Sequence, residues 1–114
     1  MKRKVAAIIE ARMSSTRLPG KVLMEVNNTP LLMHLVERVR KIKLIDKIII
    51  ATTTNQNDDK IVKFCKKNNL LFFRGSEDNV MQRVLFSANK FKVEIIVGIT
   101  GDCPIIDYRL ISLC

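Results

Sequence analysis

One pattern constrains the fold of this chain more than any other: short apolar, β-branched runs alternate with stretches of helical periodicity. The runs fall at residues 5–9, 47–52, 70–73 and 94–100. Runs this short and this apolar read as strands buried on both faces. Between the first two, Leu31, Leu32, Leu35, Val36, Val39 and Ile42 share one helical face, with a Glu37–Lys41 pair expected opposite. Thr29-Pro30 reads as the cap and first residue of that helix, after a turn at Asn27-Asn28. A second helix is expected over about residues 58–68, with Ile61, Phe64 and Cys65 inward and Lys60, Lys63, Lys66 and Lys67 in water. A third follows the turn at residues 75–78 and shows Val80, Met81, Val84, Leu85 and Ala88; Ser76 and Asp78 are the expected caps. A fourth helix is expected to begin near Asp107. The order β-α-β-α-β-α-β-(α) predicts an α/β protein of three layers around a mainly parallel sheet.

The loop after the first strand carries the chemistry. Residues 12–21 hold Arg12, Arg17 and Lys21 together with Ser14, Ser15 and Thr16, and close on Pro19-Gly20. Arg presents forked donors that match phosphate, and Lys a mobile point charge. So cationic a segment stays at the surface, where binding residues gather. A second candidate loop, residues 100–104, follows the fourth strand and contains Asp102. With a strand order 3-2-1-4, strands 1 and 4 are neighbours and both loops flank one crevice at the carboxyl edge. Arg12, Arg17 and Lys21 would then face Asp102. Such a set suits a polyphosphate carrying Mg²⁺, which takes one or two carboxylates and fills its octahedron with water and phosphate oxygens. Asp102, close ahead of Pro104, equally suits a turn.

Familiar phosphate motifs do not account for the loop. Gly20-Lys21 is followed by Val22, and Ser15 stands where a Walker A motif needs Gly; no GxGxxG occurs. The net charge of +9 favours anionic partners. Most of it lies in residues 1–47, with 11 Lys and Arg against 4 Asp and Glu. One Tyr, no Trp and no aromatic-basic interleaving argue against nucleic acid. The apolar runs are far short of the roughly 20 residues that span a bilayer, and nothing after residue 9 resembles a signal cleavage site. Three widely spaced cysteines without CxxC read as spectator thiols, and a cytoplasmic location is expected. His34 reads as a bystander on the polar side of its helix. No composition shift or linker divides the chain, so residues 1–114 are expected to form one domain.

Three segments in order carry a resemblance: Ala11-Arg12-x-x-Ser15-x-Arg17-x-Pro19-Gly20-Lys21, Arg74-Gly75-Ser76-Glu77-Asp78-Asn79-Val80-x-x-Arg83, and residues 100–107. Together the chain resembles the cytidylyltransferases, or CMP-sugar synthetases, and within them the SpsF-like branch of spore coat polysaccharide biosynthesis. The resemblance implies a nucleotide-diphospho-sugar transferase (GT-A-like) fold, CTP as donor, and a sugar or sugar acid as acceptor. It implies the Ala11 backbone near the base, with Ser14, Ser15 and Arg17 lining the nucleotide, and Arg12 and Lys21 as catalytic cations on the phosphates. Asp102 would be the ligand of Mg²⁺, and Asp78 and Arg83 would line the nucleotide pocket. Asp78 equally suits a cap, and Arg83 an exposed helix position. Family members are expected to be about twice as long, their second half adding the sugar-acid pocket, another metal carboxylate and often a dimer contact. The chain therefore corresponds to the amino-terminal, nucleotide-binding half. Two rivals stand beside this reading. One is a GT-A glycosyltransferase using a nucleotide-sugar, although Asp102-Cys103-Pro104 lacks the second Asp of its Asp-x-Asp. The other is a nucleotide-binding half-domain that needs another chain to react.

Overall fold

A computed structural model describes residues 4–14, 20–100 and 108–112. Five strands form the main sheet in the order β5 (Leu71–Gly75), β4 (Lys47–Thr53), β1 (Val5–Glu10), β6 (Ile95–Thr100) and β7 (Tyr108–Ser112). The first four are parallel, in the predicted order 3-2-1-4. Central β1 pairs Ile8 with Ile49 on one side and with Gly98 on the other.

The pleat sends alternate residues of β1 to opposite cores. Ala7 and Ile9 pack with Ile50 under helices α1 (Leu31–Arg40) and α2 (Asp59–Lys67), through Leu32, Leu35, Val36, Val39, Ile61, Phe64 and Cys65. Ala6 and Ile8 pack with Ile49, Ala51 and Ile96 under α3 (Val80–Lys90), through Val84 and Ala88. Ala6, Ala7, Ile8 and Ile9 are all fully buried, which is why β1 reads as an unbroken apolar run. Each isoleucine so buried contributes about 1.5–3 kcal/mol of transfer free energy.

Several sequence expectations are corrected. The segment after residue 107 is not a helix; Tyr108–Ser112 forms edge strand β7, antiparallel to β6, with Ile96 opposite Ile111. An antiparallel return needs only a short connection, whereas another parallel strand would need a long crossover. Thr29-Pro30 does not start α1. It is strand β3, paired with strand β2 (Glu25–Val26) across Asn27 and Asn28. Both asparagines have positive φ (54° and 63°), the primed hairpin geometry that Asn tolerates. Pro30 remains extended (ψ 143°), and the Leu31 N–H opening α1 donates instead to the Met24 carbonyl at 2.8 Å. His34 serves this ribbon, its Nε2 lying 2.8 Å from the Val26 carbonyl oxygen. Glu37 pairs with Arg40 (2.9 Å) rather than Lys41, which ends the helix. In α3, Val80 and Met81 face solvent, and the inward stripe begins with Arg83 and Val84. The four lysines expected in water on α2 are exposed. Among the described residues no helix is long and apolar enough to cross a membrane.

Candidate functional site at the carboxyl edge of the sheet

The chain reverses its direction of winding between β1 and β6, and in open α/β sheets ligands bind beyond the carboxyl ends of the strands at such a reversal. Glu10 and Thr100 are backbone partners there. Residues 15–19 and 101–107 lie outside the described residues, and with them Ser15, Arg17 and Asp102. Cys103 and Cys114 lie outside as well.

The root of the cationic loop is anchored in three ways. Ala11 is buried, and its N–H extends the β1–β4 ladder to the Ala51 carbonyl at 3.0 Å. Met13 N–H donates to Oδ1 of Asp58 at 2.6 Å. The Met13 carbonyl accepts from Gly20 N–H at 2.7 Å, closing the loop on itself. Gly20 adopts φ +78°, the left-handed region that a side chain disfavours. A 3₁₀ turn (Lys21–Leu23) follows, and its Val22 is buried against the α1 core. That burial fixes Lys21, half-exposed, beside the loop mouth. Arg12 and Ser14 are exposed, as binding side chains must be.

Asp58 was read only as the start of α2, yet it is 1% exposed at the end of the 3₁₀ turn Gln56–Asp58. Its Oδ2 accepts from the Thr53 hydroxyl. Thr53 Oγ1 in turn accepts from Asn55 N–H at 3.1 Å. Arg74 braces the same turn, donating from Nε to the Thr53 carbonyl (2.8 Å), from Nη2 to the Asn55 carbonyl (2.8 Å), and from Nη1 to Asp59 (2.7 Å). The sequence signal for this assembly is faint: a threonine-rich strand end, then an Asp-Asp pair before a helix.

Arg83 is not exposed on its helix. It is 2% exposed, with Nη1 donating to the Ser76 carbonyl at 2.7 Å and Nε without a hydrogen-bond partner among the described residues. Burial lowers its pKa from the usual arginine value; Glu10 and Asp58 oppose that shift through their charge, and Arg12 adds to it. Arg83 thus lies within electrostatic reach of the loop root from the α3 side. Gly75 admits α3 this closely, for a Cβ there would meet the Phe73 ring at 2.9 Å and Arg83 Cγ at 3.1 Å.

Asp78 is exposed on the β5–α3 turn but does not cap α3. Asn79 does, its side chain accepting from Gln82 N–H at 3.0 Å, and Ser76 Oγ accepts from Asn79 N–H at 3.1 Å. Asn79 stands immediately before the helix with extended backbone, the position from which a short carboxamide reaches the first turn. Cys65 is a core thiol whose pKa burial pushes up to about 12, so it is no nucleophile near neutral pH.

Asp58 already accepts two hydrogen bonds, from the Met13 N–H and from the Thr53 hydroxyl. Among the described residues no group of three or more His, Cys, Asp or Glu is placed to hold an ion.

A cleft of about 400 Å³ lies at the opposite, amino-terminal edge, lined by Arg40, Asp46, Lys47, Asn69 and neighbours. It is remote from these residues.

The comparisons bear on this geometry. The cytidylyltransferase family model matches residues 6–114. Spore coat polysaccharide biosynthesis protein SpsF of Bacillus subtilis is 40% identical over 110 residues, covering 93% of this chain and 46% of that protein. The 3-deoxy-manno-octulosonate cytidylyltransferase of Geobacter sulfurreducens is 32% identical over 110 residues, covering 95% of this chain and 42% of that protein. The solved structure of a cytidylyltransferase from Leptospira borgpetersenii superposes with a TM-score of 0.84 at 42% identity, over 92% of this chain and 44% of that one. A CMP:2-keto-3-deoxy-manno-octonic acid synthetase, solved in complex with CTP, gives a TM-score of 0.72 at 25% identity, over 90% of this chain and 42% of that one. The chain thus spans somewhat under half the length of the relatives it matches. An α/β sheet in the order 3-2-1-4, a closed cationic loop at its switch point and a family match over nearly every residue converge: this chain belongs to the cytidylyltransferase family.

Proposed function

We propose that this chain forms the CTP-binding part of an enzyme that transfers CMP from CTP to a sugar acid, releasing pyrophosphate, in surface polysaccharide biosynthesis. Residues 1–114 would act as a single nucleotide-binding domain. The observation that carries the reading is the loop from β1. It is cationic, closed between Met13 and Gly20, and rooted beside the β1–β6 switch point. The solved relative complexed with CTP supports the choice of nucleotide.

The Ala11 backbone would face the base, and Ser14, Ser15 and Arg17 would line the nucleotide. A hydroxyl oxygen of the acceptor attacks the α-phosphorus and releases its proton to solvent, the bond from that phosphorus to the bridging oxygen breaks, and pyrophosphate leaves with the electron pair. Such a transfer asks the protein for positioning and charge neutralisation. Arg12 and Lys21 would carry the charge growing on the leaving group, each worth on the order of 3 kcal/mol in the transition state. Asp102 would hold Mg²⁺, which when bound supplies Lewis acidity and a template for the triphosphate. Asp78 would border the pocket, and Arg83, being buried, would act on it through its neighbours at the loop root.

Calorimetry with CTP and Mg²⁺ on the wild type and on Lys21→Ala tests the reading. The variant should bind roughly tenfold more weakly, a loss of one charged contact. Equal affinity would remove Lys21 from the site. A melting series with CTP, UTP, ATP and GTP should show the largest rise with CTP, since a ligand of the native state alone raises Tm. No rise with any nucleotide would overturn the reading.

A nucleotide-sugar glycosyltransferase is not favoured, because the family and the relatives above are cytidylyltransferases or SpsF.

A further inference from the structure

Most turns satisfy their own backbone groups from within a few residues. The root of the cationic loop does not. Its Met13 N–H is satisfied by a carboxylate 45 residues away, at 2.6 Å and buried. The carboxylate's other oxygen is held by the Thr53 hydroxyl at the end of β4. Among the described residues Asp58 and Arg83 are the two buried charged side chains; Asp58 stands at this root, and Arg83, hydrogen-bonded to the Ser76 carbonyl, feels its charge. Burying charge is costly unless it is paired and hydrogen-bonded, so charge placed here is there for geometry rather than for packing.

We infer that Asp58 is a positioning residue for the loop, setting through Met13 the direction in which Arg12 leaves the sheet. The inference rests on reading Arg12 and Lys21 as the triphosphate grip. Three features carry it. The residue Asp58 holds by its N–H is the one whose carbonyl takes Gly20 N–H, so a single carboxylate places both feet of the loop. The turn that carries Asp58 is itself braced to β4 and β5 by the three donors of Arg74. Finally, a carboxylate this near a polyphosphate would repel it unless offset, and the buried guanidinium of Arg83 lies within reach of its charge. Asp58 therefore steers cations toward the ligand while its own charge is offset.

The test combines hydrogen exchange with CTP calorimetry on Asp58→Ala, Asp58→Asn, Thr53→Val and Lys21→Ala. Asp58→Ala should speed exchange at the Met13 and Gly20 amides at least about tenfold, leave Ile8 and Ile9 protected, and raise the Kd for CTP with Mg²⁺ about tenfold. Asp58→Asn keeps one acceptor oxygen for Met13 and loses the charge, so it should recover most of the protection and bind CTP about threefold more weakly than wild type. If Asp58→Ala does not fold, Asp58→Asn and Thr53→Val decide the matter, with Thr53→Val expected to fall between the other two. Met13 protection or CTP affinity unchanged across the Asp58 and Thr53 variants would overturn the inference. So would a uniform loss of stability with no change in Kd, which is what a purely structural role gives. Asp58-dependent protection in a protein that binds no CTP, or binds it independently of Lys21, would refute the nucleotide reading and with it the purpose assigned to Asp58.

Discussion

Two turns at the same edge of the sheet are built on opposite plans. The turn from β5 into α3 caps its own helix, Ser76 taking Asn79 N–H and Asn79 taking Gln82 N–H, while Asn55 Nδ2 reaches it from the α2 entry by donating to Glu77 at 3.0 Å. The loop from β1 is held from outside, by Asp58 from the α2 entry and by an end-to-end bond between Met13 and Gly20. The first turn spends the Ser76 and Asn79 side chains on its own backbone. The second leaves Arg12 and Ser14 exposed to meet something else. A binding loop is free to bind because its backbone is satisfied elsewhere.

Substitutions can break or sharpen this contrast. The largest expected effect is Asp58→Ala, which strands a partly buried N–H and a buried hydroxyl; it should destabilise by about 2–3 kcal/mol, read by urea unfolding. Gly75→Ala comes next. The added Cβ would press on Phe73 and on the Arg83 backbone, 3.3 Å away at its Cα, and should cost about 2 kcal/mol in the same assay. Gly20→Ala meets only an ordinary contact with Met13 at 3.5 Å, but its φ of +78° is strained for alanine, at about 1 kcal/mol. It should also loosen the loop closure, seen as faster exchange of the residue-20 amide. Asn79→Ala should cost about 1 kcal/mol by thermal melting and leave CTP binding unchanged, because the Asn79 side chain is spent on the cap of α3. Smallest is Glu37→Ala, removing an exposed pair with Arg40; less than about 0.5 kcal/mol is expected, and a larger loss would mean that the surface pair matters more than its solvation allows.

The legibility of the fold follows the same divide. Strand β1 and the stripes of α1 and α2 were readable because burial on two faces or one leaves a period in the chain, although Ile42, read into the α1 stripe, lies past the helix end and is exposed; the 3-2-1-4 order came with the fold that the resemblance implies. The start of α1 was misread, since Thr-Pro at a helix entry and Thr-Pro in a two-residue ribbon look alike locally. The edge strand β7 was missed because five residues are too few to show a period, and its pairing with β6 is a tertiary event. Arg83 read as surface because arginine usually is surface; only the close approach of α3 over Gly75 buries it.

The amino-acid order alone determined an alternating α/β chain, a cationic and hydroxyl-rich loop after its first strand, and the motifs that tie it to one family. These depend on neighbours in sequence: periodicity, turn chemistry and local charge. Only the tertiary structure decided which distant acid holds the loop, which arginine stands buried behind it, and that a strand rather than a helix closes the sheet. Those choices turn on which buried donors and acceptors meet across the fold, and a hydrogen bond between residues 13 and 58 leaves no period for a reader of the chain to find.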